Sequence, residues 1–257
     1  MVNLTPAGLH AVTTRAALEH GLHVLTEKPL AFTLAEAEVL VTLARSRGLV
    51  LGVMSNRGGD SRFLAFCELI RALGPGPYLA TAEMLVHLPD GGFRERLPYP
   101  ALQDLTVHAF DQIQRLITAQ AEDITSIETP LPRLGEHCSI ATAHVRFTDD
   151  SLLVFRGGFT GPGLRTPADG HWRVELPDEQ TITWDGRQTA TIVGRSGNVT
   201  IAQLPAGDGH GPRITAMIDA LHGGPPLADG LGSIALLDAA LRSARTAAPA
   251  ALQGTAT

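Results

Sequence analysis

Two short apolar runs, Leu22 to Leu25 and Leu49 to Met54, punctuate the N-terminal part of the chain and have the length of buried strands. The first ends in a polar tip, Thr26-Glu27-Lys28-Pro29. Before it, Thr5-Pro6 predicts a helix start, with a hydroxyl cap and proline at the first helical position, and Gly21 predicts its stop. Between the runs, Thr33 and Glu36 form a capping-box pattern, and Leu34, Ala37, Val41 and Ala44 recur at helical spacing up to Gly48. The order helix, strand, helix, strand implies a parallel sheet with right-handed crossovers.

Beyond Met54 the pattern predicts a helix over Ser61 to Leu73, stopped by Gly74-Pro75-Gly76, and a strand over Tyr78 to Leu88. A Pro and Gly loop then leads to Pro100, and a helix over Ala101 to Thr118 carries Leu102, Leu105, Ala109, Ile113 and Leu116 on one side. From Ile124 to about Ile201 short strands separated by Gly, Pro and Asp turns take over: Ser139 to Phe147, Leu152 to Phe159, Trp172 to Leu176, Thr181 to Trp184 and Asn198 to Ile201. These describe an antiparallel sheet. Helices over Pro212 to His222 and about Gly230 to Ala247 follow, with a frayed tail from Ala248 to Thr257. The strand-rich middle contradicts a (β/α)8 barrel, which needs alternation throughout. The fold class expected is α/β plus α+β: a parallel sheet, then a domain with a mostly antiparallel sheet and helices. Gly207, Gly209 and Gly211 do not fit G-x-G-x-x-G and are expected to form a flexible connector.

Composition narrows the function classes. With 257 residues, 44% of them hydrophobic, the chain has the length and composition of one large or two small globular domains rather than a disordered or disulfide-stapled one. Its 20 basic and 26 acidic side chains leave a net charge of -6, against a duplex nucleic-acid binder. No apolar run approaches the roughly 20 residues of a membrane span. Cys67 and Cys138 lie far apart and no secretory leader is seen, so a cytoplasmic protein is expected. The basic residues are 19 arginines and a single lysine, Lys28, which singles that residue out.

In open parallel sheets ligands bind at the carboxyl ends of the strands. Lys28 is at such an end, as are Thr5, Asn56 and Arg57, and the amino end of the first helix opens there with free N–H groups. The same residues can serve structurally, Thr5 as a cap and the others as solvated strand ends or loop residues. On the helix over Ala101 to Thr118, Asp104, His108, Asp111 and Arg115 share one face. That stripe is either an ordinary solvated face with i, i+4 pairs or a functional one. His87, His137 and His171 show no paired metal-ligand spacing, so no metal is expected, and no G-x-S-x-G supports a serine hydrolase.

The run Thr5-Pro6, His10, Ala17-Leu18, Gly21, His23-Val24-Leu25, Glu27-Lys28-Pro29-Leu30-Ala31 resembles the second half of the nucleotide-binding domain of the glucose-fructose oxidoreductase / inositol dehydrogenase / rhizopine catabolism (Gfo/Idh/MocA) family. The stretch Ala228-Asp229-Gly230-Leu231 through Ser243-Ala244 resembles the family's last helix. The resemblance implies residues 1–56 as the C-terminal half of a Rossmann domain and 57–257 as the substrate and oligomerisation domain. It implies NAD or NADP as cofactor, with Thr5, Pro6, His10, Glu27, Lys28, Asn56 and Arg57 on the cofactor side. It also implies that an Asp and a His four apart, matched by Asp104 and His108, face the Glu-Lys-Pro lysine across the cleft, with Asp111 structural. The family's glycine before the histidine is Val107 here, which is expected to narrow the pocket.

The catalytic set is therefore Lys28, Asp104 and His108, and the function implied is hydride transfer between a nicotinamide cofactor and a secondary alcohol of a sugar, cyclitol or related polyol. His108 suits the base, Asp104 would orient its ring or hold a substrate hydroxyl, and Lys28 would hold the reacting oxygen. The family's G-x-G-x-x-G turn is expected to lie in a part missing from the sequence, and whether Met1 is the true start separates an ordinary dehydrogenase from a chain without that turn. Losing several charge-assisted hydrogen bonds to the pyrophosphate, about 1.5 to 3 kcal/mol each, would weaken cofactor binding by roughly three to six orders of magnitude. The alternative is accordingly a cofactor-deficient pseudoenzyme or partner subunit that binds a small molecule. A homo-oligomer through the open sheet, or a partner chain supplying the missing half domain, is the expected assembly. The loop from Pro89 to Pro100 is expected to line the pocket.

Overall fold

The computed structural model describes residues 1–88, 92–136, 138–163 and 165–254. His137 and the first residues of the 89–100 loop lie outside the described residues. Three parallel strands, β1 (Val2–Asn3), β2 (Val24–Glu27) and β3 (Leu51–Met54), form a sheet in that spatial order, with Asn3 opposite Thr26 and Glu27 opposite Met54. Helices α1 (His10–Glu19) and α2 (Leu34–Ser46) make the two crossovers. Strand side chains alternate between faces. Val24, Leu51 and Val53 join Ala17, Leu18, Ala37 and Val41 in the main core, while Leu25 and Met54 on the opposite face meet Met217. That methionine belongs to α5 (Gly211–Leu221), so a helix distant in sequence covers the second face of this sheet.

The α2 cap forms as expected, with the Thr33 hydroxyl accepting from Glu36 N at 3.3 Å and donating to Glu36 Oε2 at 2.9 Å. The cap expected of Thr5 does not form. Its hydroxyl donates to Asn3 Oδ1 at 2.8 Å, and a 3-10 turn, Ala7–Leu9, precedes α1. The reason is Asn3, which is buried and also donates to His10 O and Thr14 Oγ1 at 3.1 Å each, binding the loop to α1 from the strand side.

The second sheet has nine strands: β4 (Leu79–Val86), β5 (Ala121–Pro130), β6 (Ser139–Phe147), β7 (Leu152–Phe159), β8 (His171–Glu175), β9 (Thr181–Trp184), β10 (Thr189–Val193), β11 (Val199–Gln203) and β12 (Ala250–Ala251). Their order is β11-β10-β9-β8-β4-β7-β6-β5-β12, antiparallel throughout except for the parallel pair β4 and β7. Three of these strands depart from the pattern read in the sequence. β5 is polar at most positions, with Ile124 and Ser126 as its buried residues, β10 has Thr at two of its five positions, and β12 is a two-residue pairing in the tail expected to fray. The inner face packs on α3 (Ser61–Leu73), α4 (Val107–Leu116) and α6 (Leu231–Thr246), with Phe63 and Phe66 of α3 against Trp172 and Trp184 at ring-centroid distances of 5.2 to 5.7 Å. Such aromatic pairs contribute about 0.5 to 1.5 kcal/mol each beyond the area they bury. One hydrophobic core runs from α1 and α2 through α6 to this sheet, so the small parallel sheet leans on the larger domain.

The helix ahead of α4 differs from the regular one expected. Ala101–Thr106 is a π-helical segment, a wide turn that occurs most often at functional sites. Glu128 of β5 holds its start, accepting from Ala101 N and Leu102 N at 2.9 Å each and from Ser139 Oγ at 2.6 Å. Thr106 Oγ1 donates back to Ala101 O at 2.9 Å. Gly207 and Gly209 lie in a connector, as expected, tethered through Asp208 to Ser61 at the start of α3, while Gly211 opens α5.

Candidate active site

The carboxyl ends of β1, β2 and β3 place Thr5, Lys28, Asn56 and Arg57 on one edge of the parallel sheet, facing the π segment and α4. Lys28 Nζ donates to Asp104 Oδ1 at 2.6 Å and to Asp104 O at 2.8 Å. Two of its three N–H bonds are thereby committed. Asp104 Oδ2 accepts from Arg94 Nε at 2.6 Å, and the Arg94 guanidinium lies over Phe93, 4.4 Å from the ring centroid. Burial pulls the Lys28 ammonium below its ordinary range against the attraction of Asp104. For Asp104 burial acts upward, but Lys28 and then Arg94 outweigh it and hold the carboxyl below its usual range, so it is ionised. Both its oxygens are spent on cations. Asp104 therefore orients the lysine, where the sequence suggested that it orients the histidine or a substrate hydroxyl.

His108 lies one turn further on, buried, and lines a cavity of about 10 Å³ together with Lys28, Val53, Ser55, Val107 and Asp111. That is room for about one water molecule. Burial first, then the charges of Arg57 and Lys28, push the imidazole well below its ordinary value, so the ring is neutral near pH 7. Neither ring nitrogen has a hydrogen-bond partner among the described residues. Val107 is among the residues that line this cavity. Asp104, His108 and Asp111 are 6%, 7% and 8% exposed, so the polar stripe is no solvated face.

Asp111 pairs with Arg115 at 3.6 Å and presses on Gly58 in the turn after β3. Burial raises its carboxyl despite Arg115 and Arg213, and among the described residues its Oδ2 has no hydrogen-bond partner. This carboxylate faces the turn that carries Arg57. His10 is 1% exposed, with Nδ1 2.7 Å from Pro29 O and Nε2 2.7 Å from Thr5 O. It ties the Thr5 loop to the Lys28-Pro29 turn and offers no nitrogen to the cleft. Pro6 is exposed at the start of the 3-10 turn, Glu27 Oε2 accepts from Lys28 N at 3.2 Å, and Asn56 Nδ2 lies 3.4 Å from His210 Nε2. The Arg57 guanidinium extends to Met84 Sδ at 3.5 Å, so it reaches from the first sheet to the second.

Three participants escaped the sequence reading. Arg94 sits in a loop without periodicity, Glu128 in a strand that was not recognised, and Asn3 in the two-residue β1. Only the loop assignment over residues 89–100 pointed towards the first. Among the described residues no three His, Cys, Asp or Glu side chains cluster closely enough to hold a metal ion, and no helix is long and apolar enough to cross a membrane.

Residues 2–55 match the family described as "Oxidoreductase family, NAD-binding Rossmann fold". The chain is 28% identical over 258 residues to 1,5-anhydro-D-fructose reductase of Ensifer adhaerens, covering 95% of this chain and 77% of that protein. It superposes on the crystal structure of aldose-aldose oxidoreductase from Caulobacter crescentus complexed with glycerol with a TM-score of 0.82 at 18% identity, over 98% of this chain and 78% of the other. It is 36% identical over 233 residues to dTDP-3,4-didehydro-2,6-dideoxy-alpha-D-glucose 3-reductase of Streptomyces violaceoruber, covering 80% of this chain and 68% of that enzyme. Similarity of that extent, spanning both sheets and joined to the N-terminal match, carries the conclusion that this chain belongs to the Gfo/Idh/MocA family of oxidoreductases.

Proposed function

We propose that the protein is an NAD(P)-dependent oxidoreductase acting on a secondary alcohol, or the matching ketone, of a sugar or related polyol. The observation that carries the proposal is the meeting of Lys28, from the parallel sheet, with Asp104 and His108, from the helix opposite, in one buried cluster. The named relatives, a reductase of an anhydro sugar and a reductase of a nucleotide-linked sugar, support the substrate class.

The nicotinamide end of the cofactor fits this edge: Thr5, Pro6 and the first N–H groups of the 3-10 turn lie beside Lys28, with Glu27 and Asn56 next to them. When bound, the nicotinamide accepts or returns the hydride. The protein handles the proton and the oxygen. Lys28, pinned by Asp104, has one N–H bond left for the reacting oxygen, where a fixed positive charge favours developing negative charge. His108 is neutral and neither ring nitrogen has a hydrogen-bond partner among the described residues, so it can take the hydroxyl proton or return it. His10 is a positioning residue that keeps Thr5 and Pro29 in register. We keep residues 1–56 and 57–257 as the two functional units, with α5 lent by the second to cover the first, and we assign the outer face of the nine-stranded sheet, which presents His144, Arg156 and Arg173, to contact with a second copy.

Titration of the purified full chain with NADH and NADPH, followed by nucleotide fluorescence, tests the reading. Binding of either nucleotide at micromolar concentrations upholds it. No binding at millimolar concentrations defeats it in favour of a small-molecule binder without redox turnover.

A further inference from the structure

Arg57, half-buried, differs from its half-buried neighbours Arg62 and Arg94 and from the buried Arg213 in having no oxygen acceptor among the described residues. Arg62 is held by Asp60 at 2.7 Å and Asp169 at 2.8 Å, Arg94 by Asp104 at 2.6 Å, and Arg213 by Ser55 O at 3.2 Å. Among the described residues the Arg57 guanidinium has a single hydrogen-bond contact, to the thioether of Met84 at 3.5 Å, and no carboxylate lies within 4.0 Å of it. A guanidinium carries five N–H donors and keeps its charge at all ordinary pH values. A thioether is a weak acceptor, so nearly all of that donor capacity is unused in a place where burial already works against the charge.

The charges around it are unevenly matched. Lys28, Arg57 and Arg94 surround Asp104, and that one carboxylate is hydrogen-bonded to Lys28 and Arg94. Asp169, the other carboxylate felt by Arg57, is bonded to Arg62. Glu27 pairs with Met54 across β2 and β3, so Arg57, three residues beyond β3, follows a strand end next to the one that carries Lys28, and its charge acts on Lys28 and His108. A ligand seated against those two residues would therefore present its far side to an unsatisfied planar cation.

We propose that Arg57 is a specificity-determining residue whose guanidinium binds an anionic group, a carboxylate or a phosphate, carried by the polyol that reacts at Lys28 and His108. The reacting end rests on the oxidoreductase reading; the anion site rests on Arg57 alone. A planar fork facing two oxygens of one group is the geometry in which arginine discriminates most strongly against neutral analogues.

The test is calorimetric titration of the full chain, without nucleotide, with D-glucose, D-glucuronate and glucose 6-phosphate. At least one anionic sugar is expected to bind about tenfold or more tightly than D-glucose, the scale of one charge-assisted hydrogen bond. Which of the two does so separates carboxylate from phosphate. In Arg57→Gln the preference falls to about unity, and Arg57→Lys, which keeps the charge without the fork, retains part of it; a melting curve verifies the fold of each. If Arg57→Gln does not fold, the Arg57→Lys ratio decides. Equal binding of all three sugars, an unchanged ratio in the variants, or no binding of any sugar at ten millimolar overturns the proposal. So does loss of NADH affinity in Arg57→Gln with the sugar ratio intact, which would put the guanidinium on the cofactor. Failure of the nucleotide titration with the sugar preference present defeats the redox reading and leaves the anion site standing.

Discussion

Asp104→Asn keeps the volume of the side chain and removes its charge, leaving the Lys28 ammonium buried without a counter-ion. The side chains of the pair are 15% and 8% exposed, so water cannot replace the lost partner at Lys28. Removing one member of such a buried pair costs about 3 to 5 kcal/mol, because the remaining charge is stranded. A chain of this size loses roughly 2 to 4 °C of melting temperature per kcal/mol, so the melting temperature at pH 7 is expected to fall by about 6 to 20 °C. Arg94 is 24% exposed and can turn to solvent, so most of the loss belongs to Lys28. Removing the stranded cation as well, in Lys28→Met/Asp104→Asn, is expected to recover much of the loss. The pH dependence has a definite sign. The Asp104 carboxyl sits below its unfolded value, so its contribution is complete above about pH 4 and disappears as pH falls through the folded value. The gap in melting temperature between wild type and Asp104→Asn therefore closes on acidification below about pH 4. Thermal melts followed by circular dichroism measure all of this. A fall of less than about 2 °C, or a double variant losing the sum of the two single losses, would refute the buried-pair account.

Three further outcomes follow from neighbouring contacts. Lys28→Ala is expected to lower turnover of the nucleotide-linked reaction by about 100- to 1000-fold, the effect of losing one oxyanion donor; full turnover rejects its assigned role. Gly58→Ala drives a methyl group into the Asp111 carboxylate and is expected to destabilise the chain by about 1 to 3 kcal/mol, whereas an unchanged denaturant midpoint would show that the turn and α4 are not in close contact. Glu128→Ala removes the acceptor of two N–H groups at the start of the π segment and is expected to cost about 1 to 2 kcal/mol, with Glu128→Gln recovering part, read from the same denaturant curves.

The local elements and the identity of the central residues were legible in the sequence. Strands over 139–147, 152–159 and 181–184 and the helix over 61–73 lie where the pattern places them, because each alternates or repeats apolar residues cleanly and ends at a turn or capping residue. The lone lysine at a strand end, and the Asp-x-x-x-His spacing, were visible for the same reason: short-range geometry decides them. What the tertiary structure decided is everything that joins residues far apart in the chain. Lys28 and Asp104 are 76 residues apart, and their contact exists because α6 and the second sheet hold the π segment against the end of β2. The parallel pairing of β4 with β7 and the covering of β3 by α5 are likewise long-range, and neither leaves a periodic mark. Arg57 and Arg94 show the limit most clearly. Arg57 was marked by its place at a strand end, but among 19 arginines nothing local marks Arg94, and only the tertiary structure shows which guanidinium has a carboxylate beside it.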